Sequence, residues 1–431
     1  MEQPQSSRRA ALVGRVASFM ASRVLWVRSW TDVPIRAVWR RWAIARASGL
    51  TKTQRQAEMA WWQGDAISAI EHWRGLEGAE PSLAQWPLKI SRALVECGDF
   101  AAAEQVLSNA KARGVEGEDV DLSLSRCLRA SRRLNSAIED AEAVVADPTA
   151  PPRTVFDAGF YLMTQNRFEG ARMGLTRLLD DKGHGSIASG MLAALSVLEQ
   201  ARADGRPDIP GWVSPAQSSI LIREPSSDTL VVGFALPSSA LGLPLNAVHA
   251  MLSSKGVNAL YLYDSRQVLH LAGTDRFGPG YQAMLDGIRA LATELGTRRL
   301  ITMGGSATGY TAIRVALDLD ADGVLAFVPQ TMMPRDASYG VVRSAHTLNR
   351  LKQFASPMMT NLRGVVEARR PRPRIEIYYG EGDRIDRMHA GNLAGLDKVH
   401  LNAIRGLRRH NVLAEMVRRG YRDLLDVFPA A

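Results

Sequence analysis

A spacing of 34 residues organises the first half of the chain. Ala69, Ala103, Ala137 and Ala171 recur at that interval without a gap. Twelve positions before them stand Ala57, Ser91, Ser125 and Gly159, all small, and nine positions before them Ala60, Leu94, Leu128 and Leu162. Small residues are needed where two antiparallel helices cross closely, and larger apolar side chains fill the space between successive pairs. The period therefore predicts stacked helix pairs, each unable to bury its apolar face alone. At 431 residues the chain is also too long for one ordinary core, so a second domain is expected.

The period and its small-residue positions resemble the tetratricopeptide repeat family, and Pro81 falls at that family's helix-ending position. The resemblance implies an all-α repeat domain over residues 51–204, with 186–204 as a capping helix, and a protein partner bound by the repeats. Gly205-Arg206-Pro207-Asp208-Ile209-Pro210-Gly211 breaks any helix and places a linker over 205–216.

From residue 217 to 431 the pattern changes to short apolar runs alternating with helical stretches. Candidate strands are 220–222, 230–235, 259–263, 300–303, 323–328, 375–379 and 399–401, with helices such as 245–254, 281–295 and 310–319 between them. Such alternation predicts an α/β domain with a mostly parallel sheet covered on both faces, whose chemistry collects at the carboxyl ends of the strands. One of these ends reads Arg299-Leu300-Ile301-Thr302-Met303-Gly304-Gly305-Ser306-Ala307-Thr308-Gly309-Tyr310: strand, sharp turn, helix, with a single serine at the apex. A turn of this kind lifts a hydroxyl clear of the sheet and aims the first helical N–H groups at the same point, so Ser306 is the candidate nucleophile. A nucleotide-binding turn is the competing reading, but no lysine follows the turn and the G-x-G-x-x-G spacing is absent.

A serine needs an imidazole to take its proton and a carboxylate to orient the imidazole. Both follow in loops after later strands: Asp383 and Asp386 after 375–379, and His410, the last histidine, after 398–403. Taken alone, His410 beside Arg408 and Arg409 reads as part of a solvated basic face; its place after the last strand is what recommends it. Asp264 is expected to cap a turn, and His389 to sit near a helix N-terminus.

The order Ser306, Asp383 or Asp386, His410 resembles that of the α/β-hydrolase family. The resemblance implies an oxyanion hole formed by the N–H groups of Ala307 and of Leu236 or its neighbours, with the acid at either aspartate. Asn258 to Asp264, Gly304 to Tyr310, Val324 to Gln330 and Asp386 to Ala390 are similar to a bacterial group of hydrolase-like domains encountered beside polysaccharide-synthesis proteins. That group carries glycine where this chain has Thr308, and a β-branched residue there works against close packing around a strained apex. The implied activity is a serine esterase acting on an acylated carbohydrate, glycolipid or small ester. The alternative is an inactive hydrolase-like scaffold whose repeats act as an adaptor in polysaccharide synthesis or export. Residues 331–373 form an insertion without strand character, holding Met332, Met333, Met358 and Met359, which suits either an adaptable apolar cover or ordinary helix core.

Charge adds one further region. The formal net charge is +9, and residues 1–50 alone carry nine arginines against Glu2 and Asp32, with Trp26, Trp30, Trp39 and Trp42 interleaved. This Arg/Trp-rich arm suits an anionic membrane surface or docking on the next domain; no nucleic-acid motif accompanies it. No run of about twenty residues is apolar without charge. Cys97 and Cys127 lie in helical patterns without metal spacing, so reduced thiols, a cytoplasmic location with peripheral membrane contact as an addition, and neither cofactor nor metal are expected.

Overall fold

A computed structural model describes residues 51–63, 65–97, 99–130, 134–206, 209, 219–235, 241–264, 268–332 and 361–428. The Arg/Trp-rich arm, most of the linker, Leu236 and all but the ends of the 331–373 insertion lie outside the described residues.

The first half is helical: α1 (Lys52–Gln63), α2 (Ala66–Ala79), α3 (Gln85–Glu96), α4 (Phe100–Ala112), α5 (Glu118–Ala130), α6 (Leu134–Ala146), α7 (Pro152–Thr164), α8 (Phe168–Arg177) and α9 (Gly185–Ala203). Each packs on the next in chain order. The small positions of the 34-residue period lie inside: Ala57, Ala69, Ala103, Ala137 and Ala171 are fully buried, and Ser91 and Ser125 nearly so. Asp65 and Asp99, one period apart, close the N-termini of α2 and α4 by accepting the N–H of Ser68 and of Ala102, each at 3.0 Å. The equivalent residue before α8 is Arg167, which makes no side-chain cap.

The second half is built on a sheet of β1 (Ser219–Ile222), β2 (Thr229–Ala235), β3 (Asn258–Tyr263), β6 (Arg299–Gly305), β7 (Gly323–Phe327), β8 (Arg374–Gly380) and β9 (Val399–Ile404), in the order β1-β3-β2-β6-β7-β8-β9. All neighbours pair in parallel except β1 with β3. A two-residue hairpin, β4 (Gly273–Thr274) with β5 (Gly278–Pro279), stands apart. The helices are α10 (Leu245–Ala250), α11 (Tyr281–Glu294), α12 (Ala307–Leu319), α13 (Leu362–Ala368), α14 (Arg384–Asn392) and α15 (Val412–Arg418). The sheet is thus mostly parallel with flanking helices, an α/β fold, as the alternation of apolar runs predicts.

Alternation along the central strands sends side chains into two separate cores. Leu230, Val232 and Phe234 of β2, with Leu260 and Leu262 of β3 and Val324 and Ala326 of β7, face α11, α12 and α13. Val231 and Ala235, with Tyr261, Met303, Leu325 and Phe327, face the other way, into a cluster that continues through α10 and α15 to α9 and the helices before it. Helix α9 meets α15 so closely that a Cβ on Gly190 would lie 2.6 Å from the Ala414 carbonyl oxygen, which only glycine permits. Polar bonds join the same surfaces: Asn246 Nδ2 donates to Met163 O at 2.8 Å and Asn166 Oδ1 at 2.7 Å. The later helices and the sheet therefore share one core.

Candidate active site

The turn after β6 brings Ser306 to the start of α12 with φ 54° and ψ −121°. A non-glycine residue in this region carries strain on the order of 1–3 kcal/mol, and the backbone on either side holds it there. The Ser306 N–H donates to Phe327 O at 2.8 Å, and the Ser306 carbonyl accepts from Gln330 N at 3.0 Å and Gly309 N at 3.1 Å. Strand and helix approach so tightly that a Cβ on Gly304 would sit 2.3 Å from the Thr308 carbonyl oxygen. Ala307 is the first residue of α12, where an N–H has no intrahelical acceptor and points out of the helix end.

Thr308 does not disturb this turn in the way its branched Cβ suggests. The side chain is buried, and its hydroxyl donates to Gly305 O at 2.9 Å while accepting the Gly305 N–H at 3.1 Å. Both polar groups of the last strand residue are satisfied, so the threonine ties the helix to the strand that carries the apex.

His410 lies in the loop between β9 and α15, and its Nδ1 is 2.9 Å from Asp386 Oδ1 and 3.1 Å from Oδ2. Asp386 is in the first turn of α14 and almost completely buried. A carboxylate can only accept, so the neutral imidazole carries its proton on Nδ1 and presents a lone pair at Nε2. That nitrogen is shielded from water and has no hydrogen-bond partner among the described residues. Asp383 occupies a different position: it is the N-cap of α14 and accepts the N–H groups of Ile385 at 2.9 Å and Asp386 at 3.1 Å. Of the two aspartates open in the sequence, Asp386 contacts the imidazole and Asp383 builds the helix that presents it.

Ser306 and His410 line one cavity of about 310 Å³. Its other walls include Leu241, Phe327 and Val328 from the sheet half and Phe156, Phe160, Ile187 and Met191 from α7 and α9. Val328 is itself at φ 47°, held by an N–H bond to Tyr378 O at 2.7 Å, so a β-branched residue is strained beside the serine. The helical wall carried no sequence signal beyond ordinary amphipathic spacing. Arg409, adjacent to His410, donates to the carbonyls of Gly183 and Lys182 and thereby fastens the histidine loop to the turn before α9.

Other sequence expectations fall elsewhere. Leu236 lies outside the described residues, leaving Ala307 as the described candidate for the oxyanion hole. His389 is in the last turn of α14 rather than the first, and its Nδ1 accepts the Thr331 N–H at 3.1 Å. Asp264 Oδ2 accepts the N–H of His270 at 3.2 Å, closing the turn after β3. Among the described residues no group of three or more His, Cys, Asp or Glu side chains is placed to hold a metal ion, and no helix is long and apolar enough to cross a membrane.

No protein-family model matches the chain, and comparison with curated proteins gives no match. Among solved structures, the chain is similar to the capsule O-acetyltransferase of Neisseria meningitidis serogroup A, with 16% identity over 47% of this chain and 89% of that one, TM-score 0.35. It is also similar to MGS-MChE2, an α/β-hydrolase enzyme from a lagoon-sediment metagenome (14% identity, 47% of this chain and 91% of that chain, TM-score 0.33). A third likeness is to the bottromycin epimerase BotH (14% identity, 47% and 92%, TM-score 0.32). Scores of this size describe a loose likeness, and the chemistry of the site rests on its own geometry.

Proposed function

We propose that the C-terminal half is an α/β-hydrolase-like serine acyl hydrolase with Ser306 as nucleophile, His410 as base and then acid, and Asp386 as the orienting carboxylate. The observation that carries this reading is that His410, held by Asp386 through Nδ1, lines the same cavity as the strained Ser306. In the first step Ser306 Oγ adds to the ester carbonyl as its proton passes to Nε2, and the developing oxyanion takes the Ala307 N–H. Collapse breaks the ester C–O bond, the departing alcohol receives the proton from Nε2, and the acyl group stays on Oγ. Water then attacks the acyl-enzyme by the same proton route and releases the carboxylic acid, restoring Ser306. We read the helix pairs as tetratricopeptide-like and as the part offered to a protein partner, and residues 1–50 as the part suited to an anionic membrane surface.

Ser306→Ala is expected to abolish labelling by a fluorophosphonate and to lower hydrolysis of a short p-nitrophenyl ester by at least roughly 10³-fold, with the melting temperature nearly unchanged. Wild-type protein that takes up no label under conditions where it is folded would end the reading and leave the scaffold alternative in its place.

A further inference from the structure

The cavity beside Ser306 has an unequal lining. Toward the sheet it presents the serine and histidine; toward α7 and α9 it presents Phe156, Phe160, Ile187 and Met191. Among the described residues that line it there is no Lys, Arg, Asp or Glu, and the polar side chains are those of Ser306, His410 and Asn411. A sugar or phosphate placed against that wall would leave its hydroxyls or charge without partners, at a cost no contact there offsets. An alkyl or aryl group meets the opposite condition, since every contact removes apolar surface from water. A volume of about 310 Å³ lies at the small end of the range of roughly 300–1,000 Å³ for ligand pockets, enough for one short-to-medium chain or ring and not for a whole glycolipid.

Resting on the serine-hydrolase reading above, we infer that this cavity is the acyl pocket and that the helical half of the chain, through α7 and α9, sets which acyl group the enzyme accepts. An ester has an acyl side and an alcohol side, and the acyl side is the one that stays bound through both steps. The alcohol must leave between them. A partly enclosed apolar chamber whose far wall is two packed helices suits the group that remains. The wall is also fixed in place: α9 is locked to α15 at Gly190, and the loop bearing His410 is fastened to the turn before α9 by Arg409. The substrate class is therefore an ester of an apolar, uncharged acyl group, with any carbohydrate on the alcohol side.

The test is an acyl-chain series, p-nitrophenyl acetate through decanoate, run on the full chain with two opposed variants. Wild type is expected to show kcat/KM rising roughly fourfold per methylene up to an intermediate optimum and falling beyond it. Ile187→Trp, which fills the chamber, should shift the optimum to shorter chains; Phe160→Ala, which enlarges it, should shift the optimum to longer ones. A profile that neither variant moves would overturn the inference even if Ser306 labels normally. Methyl octanoate and octyl acetate separate the two sides of the ester: a preference for octyl acetate that responds to Ile187→Trp would assign the chamber to the alcohol and overturn it as well. Binding of octanoate to Ser306→Ala by titration calorimetry gives a readout free of turnover. Octanoate bound by Ser306→Ala and lost in the Ser306→Ala/Ile187→Trp double variant supports the pocket even where hydrolysis is absent, whereas no binding overturns it.

Discussion

The front and rear helix pairs share a 34-residue period but bury it against different things. From α1 to α5 the apolar side chains close on one another, around Trp73, Ile90, Leu107, Val120 and Cys127. From α6 to α9 the equivalent residues, Ala137, Leu162, Leu175 and Leu195 among them, belong to the cluster that runs into β2, β3, β6 and β7. The two clusters part within the third pair, with α5 on one side and α6 on the other. Where each helix packs mainly on its neighbours, a change in the front pairs is expected to stay there, away from Ser306. The rear pairs have given up that independence, because α7 and α9 form the far wall of the serine cavity.

The largest effect should come from cavities cut on either side of that division. Leu107→Ala and Leu195→Ala both remove a fully buried side chain, and each is expected to cost about 2–5 kcal/mol. Hydrogen exchange should place the damage differently: with Leu107→Ala the protection lost is confined to α1–α5 and fluorophosphonate labelling keeps its wild-type rate. With Leu195→Ala, α9 and α15 lose protection and labelling slows. Equal slowing by both variants would mean that the helices act as one body and that the division is wrong.

Acid should separate the regions next. His249 in α10 lies in the shared part of the molecule, with Nδ1 2.9 Å from the Tyr261 hydroxyl and Nε2 without a partner among the described residues, and burial pushes its pKa from 6.5 down to about 4. Between those values the unfolded chain binds a proton that the folded chain refuses. Stability therefore falls as pH drops from about 6.5 to about 4, by up to about 3 kcal/mol, and the loss is complete below the lower value. Burial lowers the pKa of His270 as well, so His249→Phe is expected to flatten only part of the slope of unfolding free energy against pH. An unchanged slope in His249→Phe would show that the histidine is not buried neutral.

The difference between the regions also explains what could be read from residues alone. The central strands β2, β3, β6 and β7 were legible because they are near-continuous apolar runs, as strands buried on both faces are, whereas β9 at the sheet edge, half-exposed with an exposed His400, was marked only by the short run 399–401. The sharp turn that carries Ser306 was legible because turn, strand and helix are local in sequence. The partner of His410 was not: Asp383 and Asp386 are three residues apart, and only the way α14 starts decides which carboxylate is spent on capping and which turns toward the loop after β9. A capping signature was present, since Asp383 immediately precedes a helical stretch, and it would have favoured Asp386 as the carboxylate that meets the imidazole. The walls at Phe156, Phe160, Ile187 and Met191 had no such local mark. Their spacing says only that α7 and α9 have an apolar face, and what covers that face depends on how a helix 100 or more residues away in sequence from the serine packs against the sheet half.

Thr308 sets the smallest of these effects and the most local one. Its hydroxyl bridges the N–H and carbonyl of Gly305, so Thr308→Val, nearly equal in shape, leaves two buried backbone groups without that partner. The expected cost is about 1 kcal/mol in unfolding free energy, with fluorophosphonate labelling of Ser306 slower by up to roughly tenfold as the strand end loosens. Thr308→Ser keeps the hydroxyl and should restore the labelling rate, a rescue that general loss of packing would not give. Because the bridge lies between β6 and α12, hydrogen exchange in α1–α5 should stay unchanged in both variants. If Thr308→Val labels as fast as wild type, the hydroxyl does not support the apex, and the strain at Ser306 is held by its backbone bonds to Phe327, Gln330 and Gly309.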